Sequence, residues 1–520
     1  MEWLARGQSD WLHPNFLGQT PEVAALLPYW LGAWAAQWAP DSWIAVRLPF
    51  VLLLGLSLMA TWYACYHLAR SPLAQPVAFA FGGEAQPADY ARALSDGALL
   101  ALLASLGLAQ LGHETTPAVA QLAASTLMLY GLGALQRHPR RALAWFGVGQ
   151  LALTLSGAPA LAALLALAGL GILGWERSRA VDSPGVQRSA IAGILLSTAV
   201  SLILAVQLNL LRWRIELPAP TATEWISLIR LVVWFTWPTW PLTLWTLWRW
   251  RAHWWRATQP ARHVLIPLAF VVVLTISALV TPSADRGLLL ALPALAILAA
   301  FALPTLQRSV SALVDWFTLL FFSTCGLLIW IIWIAVQTGV PRQPAANVAR
   351  LAPGYVPEFQ IAPFLIAALA SAAWLALVRW RTGRHRAAIW KSLALPAGGA
   401  VWCWILLMTL WLPMLDYGRG YQAMLAPLRA RIASTDCVDH EGLGTAQRVA
   451  LRLQTGVMLR PIKPVPATGA ACSWLITGTD TPGFIPVKVD TKVWESSLTL
   501  QHPVDRMETL WVYRRRATAP

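Results

Sequence analysis

Apolar runs recur along the chain from residue 43 to residue 412. Most approach the ~20 residues a helix needs to cross a bilayer core of ~30 Å. Read by apolar length, the spans fall near 43–66, 94–111, 118–135, 142–156, 158–174, 189–211, 226–248, 264–281, 287–303, 314–337, 362–379 and 392–412. Residues 1–42 are more polar, hold no span and lack the apolar core of a signal peptide. From about residue 413 the pattern shifts to charges, prolines, glycines and short alternating runs such as ACSWLIT (471–477) and TLWVYRR (509–515), which read as strands. The expected fold class is an all-α polytopic membrane protein of about 12 transmembrane helices with a small C-terminal mixed α/β periplasmic domain. Its expected divisions are an external loop with juxtamembrane helices (1–42), a helical bundle (43–412) and the small domain (413–520).

Composition supports that class. The chain has 520 residues, 57% hydrophobic and 12% charged, where a soluble protein carries roughly twice that charged fraction. The net charge of +15 does not point to nucleic acid, because the cations fall in loops: QRHPRR (136–141), WERSR (175–179), RWRAHWWRATQPARH (249–263) and RWRTGRHRAAIWK (379–391). Simple alternation of the spans puts all four loops on one side, which the positive-inside rule makes the cytoplasm. The loops containing HETTP, SGAP and PSADRG, and the tail beyond 413, then face outward. The same parity starts Met1 outside, so an upstream first helix is expected. Most of the 31 tryptophans suit an interfacial belt, and Pro238 and Pro241 are expected to kink the helix they interrupt. Cys437 and Cys472 are the two cysteines of the last domain, and an oxidising compartment favours a disulfide between them. Cys65, Cys325 and Cys403 lie in spans.

The segment LGHETTP (111–117) stands out chemically. His113 and Glu114 sit between two apolar runs with no lysine or arginine beside them, and a carboxylate there is costly unless something binds. No phosphate loop, dinucleotide fingerprint, HExxH or CxxC occurs, so no metal or cofactor is called for. Asp96 and Asp315 read as helix caps.

Several segments, in order, resemble the polyprenyl-phosphate-sugar-dependent glycosyltransferases of the GT-C fold, which include lipid A aminoarabinose transferases and bacterial relatives of protein O-mannosyltransferases. EWLARGQSDWLHPNFLG, LPYWLGAW and IAVRLPF match the family's first external loop and second helix through Trp11, Pro14, Gly18, Tyr29, Trp30, Arg47 and Pro49. LGHETTPAVAQLA occupies the place of the second external loop with its acidic residue, Glu114. LALTLSGAPALAALL keeps Gly157 and Pro159, and SADRGLLLALPALAILAAF keeps a basic residue as Arg286. The family's Asp-Glu pair is not in the chain, and the lysines of two segments are replaced in TPEVAALLP, which keeps Glu22, and in LTLSGAP.

The resemblance implies transfer of a sugar from a polyprenyl-phosphate donor to a lipid or glycan acceptor at the outer face of the bacterial inner membrane. It implies Glu114 and His113 as catalytic groups and Arg286, Arg47, Glu22, Tyr29 and Trp30 as substrate-binding groups. The expected partners are the donor, the acceptor and membrane lipids, with no nucleic acid. Two other readings remain open: a non-catalytic binder of lipid-linked glycan or envelope scaffold, and a flippase or transporter of lipid-linked cargo. Internal repeats and interrupted midplane helices would mark a transporter, and neither is evident.

Overall fold

The computed structural model describes residues 1–16, 20–39, 43–75, 86–178, 184–212, 215–216, 221–251, 261–282, 284–383, 389–461, 472–478, 489–505 and 507–516. Gly18 lies outside them, as do parts of the loops 249–263 and 379–391. Among the described residues, eight helices are long and apolar enough to cross a membrane, and a small sheet closes the chain. The protein is a multi-pass helical membrane protein.

The chain divides into two compact units, Met1–Ser323 with Ser371–Trp404 and Thr324–Ala370 with Ile405–Pro520. The first unit opens with α1 (Glu2–Ala5), α2 (Leu27–Trp38), α3 (Trp43–Ala69), α4 (Pro87–Ala104), α5 (Leu106–Leu111), α6 (Pro117–Ala134) and α7 (Pro139–Leu155). It continues with α8 (Pro159–Ser178), α9 (Pro184–Gln207), α10 (Ala222–Phe235), α11 (Thr239–Arg249), α12 (Arg262–Leu279), α13 (Ala284–Leu289) and α14 (Leu292–Ala302). Next comes α15 (Arg308–Thr338), which the unit shares with the second; α18 (Ala394–Leu406) follows after α16 (Arg342–Leu351) and α17 (Ile361–Thr382).

The core of this unit runs along α14, every residue of which is buried. A helix that is apolar on all sides needs such surroundings. Thr243 and Thr246 of α11 donate their hydroxyls to its carbonyls at Leu295 (3.1 Å) and Leu298 (2.7 Å). Such bonds join helices where apolar burial gives no drive against lipid. Helices α6 and α7 pack closely through Gly149: a Cβ there would sit 2.6 Å from the Ala124 carbonyl oxygen. Beyond them, Gln150 of α7 bonds Ser197 and Thr198 of α9.

Several expected spans differ in the structure. The span at 94–111 starts earlier, at Pro87, because the polar turns PADYARALSD bury Tyr90, Ala91, Leu94 and Ser95 against protein. It then breaks at Ser105, whose backbone is extended. Asp96 is therefore not a cap: it lies inside α4 and accepts the Trp62 indole N–H at 2.9 Å. The span at 226–248 breaks between Phe235 and Thr239, where Pro238 cannot continue the hydrogen-bond ladder. The two breaks meet, the Leu106 N–H donating to the Trp237 carbonyl at 3.1 Å. Irregular backbone at membrane depth is tolerated where protein satisfies it in this way. The span at 287–303 is two helices, α13 and α14. Helix α15 begins six residues before the expected start, so Asp315 lies two turns inside it and pairs with Arg381 instead of capping.

The second unit carries helices α19 (Leu412–Arg419), α20 (Gln422–Arg429) and α21 (Thr445–Thr455) and five strands. These are β1 (Cys437–Glu441), β2 (Met458–Pro461), β3 (Trp474–Gly478), β4 (Trp494–Gln501) and β5 (Thr509–Arg515), in the order β2-β1-β3-β5-β4. β1 runs parallel to β2 and β3, while β5 is antiparallel to β3 and β4. The β1–α21–β2 unit gives the domain its mixed α/β character. All five residues of β3 are buried, which suits a central strand read as a continuous apolar run. Tyr421 and Gln447 both donate to Glu508 (2.6 and 2.8 Å), tying α20 and α21 to the segment before β5.

Candidate functional site

The loop between α5 and α6 carries His113 and Glu114. α5 ends at Gly112, the Glu114 N–H turns back to the Leu111 carbonyl (3.1 Å), and Pro117 opens α6. The short helix α13 packs on α5 and brings Arg286 to the same place from far along the chain. Arg286 Nη2 lies 3.5 Å from Glu114 Oε2, with the side chains 44% and 29% exposed. That oxygen is itself buried and accepts no hydrogen bond among the described residues. The pair is an ion pair without an optimal hydrogen bond, since normal N–H···O distances run about 2.7–3.2 Å. Asp285 accepts the backbone N–H of Arg286 at 2.8 Å. The exposed His113 ring lies 5.3 Å from the Trp404 ring of α18, tilted against it.

Two hydroxyls that sequence reasoning missed border this region. Thr116 is the N-cap of α6, yet its hydroxyl makes no capping bond and is buried without a hydrogen-bond partner. The Ser156 hydroxyl, at the end of α7, is in the same condition. Gln121, one turn into α6, donates to the Ser156 carbonyl at 2.8 Å and links the two segments. Their only sequence signal was position, just before Pro117 and Gly157.

The structure also joins two of the resembling segments. Gly157 has φ +82°, which favours glycine, and a Cβ there would come within 2.6 Å of the Ala24 carbonyl oxygen. The Leu26 N–H donates to the Leu155 carbonyl (2.7 Å), so TPEVAALLP lies directly against LTLSGAP. Tyr29 donates to the Val23 carbonyl at 3.3 Å, and the Trp30 indole N–H donates to the Trp11 carbonyl at 2.8 Å. Both side chains thus brace the N-terminal segment. Glu22 is exposed beside Val23, and Arg47 stands exposed near the start of α3, in no ion pair with a described residue. The structure brings Glu114 and Arg286 together and attaches neither Arg47 nor Glu22 to them.

Metal ligation finds little support. Cys437, Asp439 and Cys472 are the one group of His, Cys, Asp and Glu donors close enough to share an ion among the described residues, within 4.8 Å of one another. The two sulfurs are bonded to each other, with Cα atoms 4.9 Å apart, and Arg460 holds Asp439 through two hydrogen bonds of 2.8 and 3.2 Å. Burial, with the Arg448 cation adding to it, holds neighbouring His440 down at a pKa of about 4.

The first unit contains a second feature, an apolar cavity of about 630 Å³ where the breaks of α4–α5 and α10–α11 meet α15. Its size lies within the range of ordinary ligand pockets.

No family model matches the chain, and no curated protein matches it. Solved structures do. The chain is similar to ArnT from Cupriavidus metallidurans bound to undecaprenyl phosphate, at a TM-score of 0.57 and 15% identity over 98% of this chain and 91% of that one. The apo state of the same protein gives a TM-score of 0.57 and 14% identity over the same shares. The chain thus shares the fold of ArnT, the kind of fold that the resemblance carried by the motifs led one to expect.

Proposed function

We propose that this chain is an integral membrane glycosyltransferase that moves a sugar from a polyprenyl-phosphate donor to a lipid or glycan acceptor. The reaction takes place at the outer face of a bacterial inner membrane, with the C-terminal domain in the periplasm. The observation that carries this reading is the meeting of Glu114 and Arg286 in a shared fold. One of the similar structures holds undecaprenyl phosphate, and the side assignment rests on the four basic loops.

The chemistry follows from the pair. The donor's anomeric carbon is bonded to a phosphate oxygen. An acceptor hydroxyl attacks that carbon, the carbon–oxygen bond to phosphate breaks, and polyprenyl phosphate departs with the bond's electrons. Charge therefore grows on the phosphate and positive character on the sugar. The Arg286 guanidinium, with its fork of donors, holds and stabilises the phosphate. Glu114 takes the acceptor's proton, for which its Oε2 has unused lone pairs. His113, braced on Trp404, hydrogen-bonds the acceptor or relays that proton outward. On the strength of the motifs alone, Tyr29, Trp30, Arg47 and Glu22 are given the substrate-binding role. In the periplasm Cys437 and Cys472 crosslink the small domain, which at this size gains from a covalent tie.

A non-catalytic reading draws on the missing lysines of TPEVAALLP and LTLSGAP. One assay separates the two. The purified full chain is given a synthetic polyprenyl-phosphate sugar and a membrane lipid extract, and transfer is compared with that of Glu114→Gln. Transfer by the parent, with a loss of about 10²–10⁴-fold in an equally monodisperse variant, is the expected result. Undiminished transfer in Glu114→Gln removes the base from this position, and no transfer by the parent favours the binder.

A further inference from the structure

Helix α3 turns one stripe outward along most of its length. Leu52, Met59 and Tyr63 are 65%, 54% and 46% exposed, and their spacing keeps them on one face of the helix. His67 continues that face one turn further on, and Arg70 stands just past the helix end. The foot of α3 meets the turn between α6 and α7. There the His67 ring lies 5.9 Å from the Tyr130 ring of α6 and 5.6 Å from that of His138, just before α7. Arg137 Nη2 donates to the Arg70 carbonyl at 2.8 Å. A stripe that faces lipid in a membrane-spanning bundle therefore ends in two histidines and two arginines. Glu114 lies at the opposite end of α6.

None of these four groups pairs with a carboxylate among the described residues. Arg70 donates Nη1 to the Tyr66 hydroxyl (3.3 Å) and lies 5.4 Å from the centre of that ring, while its Nε is buried without a hydrogen-bond partner. The buried Nδ1 of His67 is in the same condition. Arg137 and His138 are exposed, and the carbonyl that Arg137 bonds is neutral. Helices α3, α6 and α7 contain no aspartate or glutamate. Of the helices packed on α3, only α4 carries carboxylates. Asp89 is paired there with Arg92 (3.0 Å), and Asp96 accepts the Trp62 indole N–H. Glu176 of α8, which packs on α6, is held by Arg262 at 2.7 Å. Two guanidinium-bearing residues fastened together by a backbone bond, with no counter-charge, repel one another until an anion joins them.

We infer that the foot of α3 binds the phosphate of an anionic membrane phospholipid through Arg70 and Arg137, with His67 and His138 beside it, while the acyl chains lie along the stripe of Tyr63, Met59 and Leu52. The guanidinium fork matches the geometry of a phosphate. Position selects a lipid over a soluble phosphate. Arg70 follows directly on a helix long and apolar enough to span, and Trp62, Tyr63, Tyr66 and Tyr130 gather above it as aromatic groups do at headgroup level. Charge selects an anionic lipid, because a zwitterionic one brings its own ammonium group against the two arginines. Basic pockets between membrane helices hold anionic headgroups on the same grounds. The site stands at the far end of α6 from Glu114 and holds whether or not the chain transfers sugar.

Native mass spectrometry of the full chain, purified in mild detergent with phosphatidylglycerol and washed with phosphatidylcholine, tests it. The expected spectrum shows phosphatidylglycerol retained on the parent, with retention lowered about tenfold by Arg137→Glu. Arg249→Glu, which reverses an exposed cation at the end of α11, is expected to leave retention unchanged. An equal loss in the two variants overturns the inference and leaves only diffuse surface charge. Should Arg137→Glu fail to fold, the parent decides alone: phosphatidylglycerol micelles are expected to raise its thermal midpoint and phosphatidylcholine micelles to leave it unchanged. Equal effects of the two lipids overturn the inference, as does a parent that retains no lipid. A midpoint raised as far by sodium phosphate as by phosphatidylglycerol also overturns it and gives the arginines to a soluble phosphate.

Discussion

Two glutamate–arginine pairs occupy the same unit and differ in almost every respect but composition. Arg262 Nη1 donates to both carboxylate oxygens of Glu176 (2.9 and 2.7 Å), while its Nη2 donates to the Leu132 carbonyl (2.8 Å). Both side chains are under a tenth exposed. Helices α6, α8 and α12 are thereby fastened at one point. Glu114 and Arg286 stand 3.5 Å apart, partly exposed, on a loop and a six-residue helix. The first pair turns its hydrogen bonds onto itself and onto backbone, deep among three helices. The second keeps a carboxylate oxygen that accepts no hydrogen bond among the described residues, and most of a guanidinium fork. Burial and distance, more than residue type, separate this structural lock from the candidate site.

Breaking the buried pair sharpens that contrast most. Arg262→Met leaves a buried carboxylate uncompensated and is expected to cost about 3–5 kcal/mol, read as a lower thermal midpoint in detergent. Combining it with Glu176→Leu is expected to restore most of the loss, because neither charge then needs a partner. A single variant as stable as the parent would falsify the lock. At the open pair the effect belongs to chemistry. Arg286→Met is expected to lower transfer by about 10²–10³-fold with the midpoint unchanged, the scale of losing one charge-stabilising donor. If stability falls and the residual rate per folded molecule does not, Arg286 is structural too.

The smallest effect lies in the C-terminal domain, where burial holds the His440 pKa at about 4, below its ordinary 6.5. A depressed histidine favours the neutral form in the fold. Its stabilising share is complete above the unfolded value and is lost as pH falls from about 6.5 toward 4. The unfolding midpoint of that domain is expected to drop over this window in the parent and to drop less in His440→Leu. Parallel pH profiles would assign the acid sensitivity to other groups.

The helical membrane class and the closing α/β domain were legible because apolar length and strand alternation are local signals. Glu114 was legible as a costly carboxylate, and Arg286 through the ordered motifs; that the two meet lay outside any local pattern. The lock was hidden. Glu176 and Arg262 sit in WERSR and PARH, which read as solvated basic loops, and only burial by neighbouring helices distinguishes them. Asp315 was likewise masked by a helix that starts earlier than its apolar stretch. The break at Ser105 left no mark in hydropathy, since the Trp237 carbonyl, supplied from another helix, meets the freed N–H. Pro238 signalled its own break, because proline acts locally.

The central helix α14 has one more consequence. Its eleven residues span about 16 Å at 1.5 Å per residue, roughly half the ~30 Å of a bilayer core. Helices α3 and α9, of 27 and 24 residues, present much of their surface outward and must match whatever thickness the membrane has. Because protein covers α14 on every side, it has no lipid-facing length to match. Thinning or thickening of the bilayer acts on the rim of the bundle, and the axis that follows directly from the Arg286 helix is shielded from it.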